Sequence, residues 1–373
     1  MNIKLVKNLE EGDCIAVNSD FLLQITDDNR QLDRFMGKKY FIFNPNTNER
    51  LEVMPEIPKF MLARVTYVIE EKDYIIFSSA KQINEKELEI IFYRYNINNG
   101  GCSIIHSIVA ELAAIGRGIS IKVFVLVEDY CLFEISNSLG DVESYEIVLK
   151  DIKNNKSLTV NNDMLSTKGI DKIIALNGNI CAIKIGTEIT GIININRFIS
   201  DMVLGLDSIY MDTLDESNGQ MYLPSMRKYG DYILYLRKDG ESGSDEVVIY
   251  DYVNKVKKIR FNSNISEDFN INKLHLINGV PYYFVNEDDG FISIVNLNTQ
   301  KVEAEFPEDY IVEYVLEDMI VTSRHMDKKF IIGKDKSYVE VFKFPDMNHS
   351  VYKVNGIYGG CIEHMDDLLV FIK

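Results

Sequence analysis

The chain has 373 residues, of which 46% are apolar and 26% charged, a globular mix with enough apolar mass for a sizeable core, so global disorder is excluded. Its 40 Lys and Arg stand against 57 Asp and Glu, a net charge of −17 that repels the phosphate backbone of nucleic acids and the surface of anionic membranes.

The chain opens with a strand-like run at residues 3–9. It has no apolar core or small-residue cleavage site of a signal peptide. Two kinds of alternating β-rich hairpin then take turns. Residues 14–26 (CIAVNSDFLLQIT) form one kind and residues 40–53 (YFIFNPNTNERLEV) the other. The alternation continues through residues 64–79 and 90–105. A ten-residue helix is expected at residues 106–115, where Ser107 caps and Ile108, Leu112 and Ile115 share a face. Hairpins resume at residues 120–136, 144–160, 171–186 and 187–203. The stretch 204–223 fits no template. Beyond it come residues 225–238, 246–261, 273–286, 291–306, 310–326, 337–354 and 360–373. The basic cluster Lys255, Lys257, Lys258 and Arg260 falls within one of these runs and reads as a solvated strand face.

One set of turns begins near Asn44, Asn96, Asp151, Asn194, Asp251, Asn296 and Phe344, a spacing of about 50 residues. Asn and Asp suit such turns because they tolerate left-handed backbone and bond their own main chain. The other hairpins include Asn177-Gly178 and Asn278-Gly279, the pair favoured where both turn residues need positive φ. Two hairpins per repeat give a four-stranded unit of about 50 residues. This unit resembles the blade of a β-propeller. The expected fold is therefore all-β, a single β-propeller domain over residues 1–373. Eight blades are favoured, with seven as the alternative. With eight, the last blade has three strands, because the N-terminal strand pairs with the C-terminal hairpin to close the ring and remove exposed edges.

Named propeller signatures are missing. There is no Trp, which removes the Asp-box, the WD40 signature and tryptophan docking, so residues 242–245 (SGSD) read as a polar turn. Kelch repeats carry paired glycines in each blade, and this chain has only Gly100-Gly101 and Gly359-Gly360. The five cysteines are odd in number and show no C-x-x-C spacing, against a disulfide framework or structural zinc. The five histidines show no metal-binding spacing, and no nucleophile elbow or phosphate loop occurs. No apolar run approaches the roughly 18 residues of a membrane span. A cytoplasmic, bacterial, monomeric protein is expected.

In a propeller the long connections between strands carry binding residues on a rigid scaffold. Here they include residues 26–37, 55–58, 80–86, 106–118, 161–169 and 212–224. Candidates for a partner or ligand face are Tyr222, Arg227 and Lys228 in the irregular stretch after the fourth repeat, Asp288 and Asp289 in an acidic loop, and Arg324 with His325 at a strand end. Arg324, His325 and Asp327 read either as an acid–base or anion site or as a polar strand terminus. Residues 286–290 (NEDDG) lack the alternating ligands and terminal Glu of an EF-hand, so no cofactor is assigned and calcium is the one ion to test. The expected function is a non-catalytic module binding a protein or small molecule. The alternative is a lactonase-type hydrolase with a divalent cation at the central channel.

Overall fold

A computed structural model of the chain describes residues 2–7, 13–68, 72–115, 117–127, 129–138, 144–216, 226–238, 245–261, 273–286, 292–307, 310–316, 318–325, 336–344, 346–355, 358–364 and 367–372. The chain divides into two compact units. Unit one is Met1–Glu11 with Leu223–Lys373, and unit two is Gly12–Tyr222.

Strand β1 (Asn2–Lys7) belongs to unit one. Unit two opens with β2 (Asp13–Ala16), β3 (Leu22–Leu32), β4 (Phe35–Asn44), β5 (Glu49–Glu52) and the short β6 (Lys59–Phe60), which pairs with β4. Next come β7 (Arg64–Tyr67), β8 (Tyr74–Gln82), β9 (Glu87–Asn96) and β10 (Cys102–Glu111). The third group is β11 (Ile119–Val127), β12 (Tyr130–Asn137), β13 (Ser144–Asp151) and β14 (Lys156–Thr159). Helix α1 (Asp163–Lys168) leads to β15 (Ile170–Asn177), β16 (Ile180–Ile185), β17 (Ile189–Asn194), helix α2 (Ile195–Val203) and β18 (Asp212–Glu216). Unit one resumes with two four-stranded sheets, β19 (Met226–Tyr229), β20 (Tyr232–Lys238), β21 (Asp245–Asp251), β22 (Val256–Phe261), then β23 (Leu274–Ile277), β24 (Val280–Asn286), β25 (Ile292–Asn296), β26 (Lys301–Phe306). It ends with the sheet β27 (Ile311–Val315), β28 (Met319–His325), β29 (Lys336–Lys343), β30 (Asn348–Asn355) and the hairpin β31 (Tyr358–His364), β32 (Asp367–Ile372).

Eight sheets result among the described residues, and they are the blades of an eight-bladed β-propeller. The expected pairing of the chain ends is present: β1 runs parallel to β32, from Asn2 beside Asp367 to Lys7 beside Ile372, and makes a three-stranded blade with β31. Within each unit, neighbouring sheets pack their apolar faces together. Leu23 and Ile42 meet Ile75 and Phe77, Ile90 and Phe92 meet Val123 and Phe133, and Ile249 meets Leu276.

The turns explain the repeat. The Oδ1 atoms of Asn44, Asn96 and Asp251 each accept hydrogen bonds from backbone N–H groups two and three residues on, at 2.8–3.1 Å. Four residues after the Asn or Asp, the chain turns left-handed, at Asn48 (φ 62°), Gly100 (69°), Asn155 (51°), Lys255 (56°) and Gln300 (58°). At Asn278-Gly279 both residues have positive φ, 49° and 72°, as the pair allows; at Asn177-Gly178 only the glycine does, at 52°.

Four local expectations are corrected. The predicted helix at 106–115 is strand up to Glu111, paired with β9, because β-branched Ile104, Ile105, Ile108 and Val109 favour the ladder. The predicted second strand of the 187–203 hairpin is α2. Asn194 caps it by accepting from the Arg197 N–H at 3.1 Å, and Ile195, Phe198, Ile199 and Met202 bury one face. The outer strand of that blade is β18, from the stretch that fitted no template. Finally, β7 does not pair with β8; it lies parallel along β11. Among the described residues no helix is long and apolar enough to cross a membrane.

Candidate ligand pocket

The departure of β7 shapes unit two. In register, Arg64 lies beside Lys122 and Tyr67 beside Val125, and Val68 extends the pairing by donating its N–H to the Val125 carbonyl at 3.0 Å. Strand β8 therefore pairs with β9 on one side and, among the described residues, with no strand on the other. Side chains and the short β6 stand in. The Ile76 N–H donates to the Tyr67 hydroxyl at 2.9 Å, and the Ser78 hydroxyl donates to the Phe60 carbonyl at 2.5 Å. Lys59, beside Phe60, is buried with its ammonium on the carbonyls of Met54 (2.7 Å) and Ile57 (3.0 Å); burial lowers its pKa to about 8.

Beside β7 and β8 lies a pocket of about 410 Å³. Its walls come from five segments. Ile15, Leu23 and Ile25 come from β2 and β3, Phe35 and Tyr40 from β4, residues 61–65 and Tyr67 from the link and β7, Ile76 from β8, and Ile115, Ile119, Ser120 and Ile121 from the end of the preceding link and the start of β11. The surface is mostly apolar. Its polar groups are the Tyr40 and Tyr67 hydroxyls, Ser120 and Arg64. Burial pushes the Tyr40 phenol up to about 12 and raises that of Tyr67 further, so both remain neutral. Ser120 is bonded to Ser136 at 2.8 Å. Arg64 is exposed and, among the described residues, its side chain makes no hydrogen bond or ion pair. No described His, Cys, Asp or Glu lines the cavity, so it holds no acid–base pair. Its volume falls within the range of small-molecule sites.

None of the seven sequence candidates is among the described residues that line this pocket. Tyr222, Asp288 and Asp289 lie outside the described residues. Arg227, half-buried, and Lys228, exposed, are neighbours on β19. Arg324, on β28, pairs through Nε with Glu340 Oε1 at 2.8 Å and lies over the rings of Tyr310 and Tyr338 at 5.2 and 5.0 Å. Glu340 is buried and also accepts from the Tyr310 hydroxyl, so Arg324 neutralises a buried carboxylate. The side chains of His325 and Asp327 are outside the described residues. Among the described residues no three His, Cys, Asp or Glu converge to hold a metal ion. In unit two, Glu134 is buried between the Lys122 ammonium (2.8 Å) and the Ile170 N–H, and burial raises its pKa. That pair ties two blades together and stands apart from the pocket lining.

The pocket residues were missed because each is unremarkable in sequence. One signal was present. The link between Tyr67 and Tyr74 has six residues, longer than a tight hairpin allows.

No protein-family model matches the chain, and no curated protein matches it in sequence. Solved structures of similar fold include dipeptidyl peptidase 4 from Porphyromonas gingivalis, at 9% identity and a TM-score of 0.51, over 89% of this chain and 51% of that one. The chain thus spans about half the length of that peptidase. Others are Sqt1 from Chaetomium thermophilum bound to the N-terminus of ribosomal protein L10, at 12% identity, 97% of each chain and a TM-score of 0.47, and the β-propeller domain of the Trilobed protease from Pyrococcus furiosus, at 11% identity, 91% and 97% coverage and a TM-score of 0.44. At these identities the likeness is one of fold alone.

Proposed function

We propose that the chain is a non-catalytic binding module and that the apolar pocket of unit two receives its ligand. The observation that carries this reading is the pocket's lining: about 410 Å³ walled mostly by aliphatic and aromatic side chains, with no His, Cys, Asp or Glu among its described residues. A rigid scaffold around a preformed apolar cavity binds without first ordering itself, which favours affinity.

The test uses an apolar fluorescent probe, 1-anilinonaphthalene-8-sulfonate. Saturable fluorescence enhancement is expected with the native chain and should be lost in Ala63→Phe, which fills the pocket from its half-buried wall. An unchanged titration in the filled variant would place the site elsewhere. The same samples are melted with calcium and with EDTA. The binding reading expects no shift; a dose-dependent rise with calcium would favour the metal-assisted hydrolase instead.

A further inference from the structure

Resting on that reading, we infer that the pocket selects an amphipathic carboxylate, an aliphatic chain capped by a carboxyl group, with Arg64 as the anion receptor. Arg64 is one of the residues that line the pocket, at the start of β7, and its exposed side chain meets no carboxylate among the described residues. In a chain with 57 acidic residues against 40 basic ones, an arginine left without an acidic neighbour beside an apolar cavity is chemically conspicuous. Its planar fork matches a carboxylate in two parallel hydrogen bonds, which an ammonium cannot reproduce. Its neighbour in register, Lys122, is not available for the same task, because its ammonium is held by Glu134 and the Ile170 carbonyl at 2.8 and 2.7 Å. The remaining polar groups of the lining, the Tyr40 and Tyr67 phenols and Ser120, are neutral, so Arg64 supplies the charge. The tail would lie against Ile15, Leu23, Ile76 and Ile121.

Two fields compete at the pocket mouth. The net charge of −17 attracts cations to the surface and repels anions. Arg64 does the opposite at short range. Isothermal titration with octanoate, 1-octanol and octylamine compares three head groups on one tail. The native chain should bind octanoate about tenfold tighter than 1-octanol, and octylamine weakest. Arg64→Gln should bring octanoate down to the affinity of 1-octanol, and Arg64→Lys should retain part of the preference. Because Arg64 is exposed, neither substitution disturbs packing. Equal binding of octanoate and 1-octanol by the native chain, or a preference that survives Arg64→Gln, overturns this inference and leaves the apolar pocket standing. If no compound binds and Ala63→Phe changes nothing, the binding reading itself fails.

Discussion

The sheets β8–β10 and β27–β30 are written in the same alternating code, yet one lacks its innermost strand and the other keeps it. In the second, β27 and β28 are joined by three residues, and the Leu316 N–H closes the link on the Met319 carbonyl at 2.8 Å. So short a connection holds the two strands side by side. In the first, six residues separate β7 from β8. That length lets β7 cross to β11, whose edge offers parallel pairing from Arg64 to Tyr67. The difference teaches that composition makes a strand while the connection chooses its partner. A departed strand also leaves a debt in its blade: side chains must satisfy the exposed edge.

The comparison can be broken at buried positions on the second strands, Ile320 of β28 and Ile76 of β8. Ile320→Ala should cost about 4 kcal/mol, because it empties a packed core. Ile76→Ala should cost about 2 kcal/mol, because one side of Ile76 already faces the cavity and has fewer partners to lose. Urea denaturation of the two variants measures this, and equal losses would mean that the pocket wall is packed like any other core. A finer test removes the stand-in for the missing strand. Tyr67→Phe leaves the buried Ile76 N–H without an acceptor, at a cost of about 2 kcal/mol. Faster hydrogen exchange at the Ile76 amide should accompany it; unchanged exchange would show that the hydroxyl does not hold the edge. The smallest effect concerns the turns, where the two kinds of blade should not differ. Asn96→Ala, in the sheet without its inner strand, and Asn44→Ala, in β4, should each cost about 1 kcal/mol, since each Oδ1 accepts two backbone N–H groups in the same geometry. A clear inequality by thermal melting would show that the missing strand is felt at the far edge of its blade.

The turns were legible because their chemistry is local. An Asn or Asp and a left-handed residue four places on define five of them, so the repeat could be read directly, with eight blades favoured over seven. The pairing of β1 with β32 was legible for a different reason: an odd strand count needs a partner from the other end. Helix α2 was not read, although Ile195, Phe198, Ile199 and Met202 carry the helical period, because the repeat pattern demanded a strand there. The pocket was the least legible feature. Charge and loop position drew attention to Arg324, yet it neutralises Glu340. The pocket is built from apolar residues of five separate segments, and only tertiary structure brings these together.

The pairing of β1 with β32 also has a consequence for biosynthesis. At a translation rate of about 5–20 residues per second, β1 waits on the order of 20–70 s for its partner to be made. All of unit two emerges in that interval and can fold while β1 has no strand to join. Val6, buried in the finished blade, stays uncovered until then. The nascent chain therefore carries an unpaired apolar strand through most of its synthesis, which is the stage at which a holdase would have something to grip.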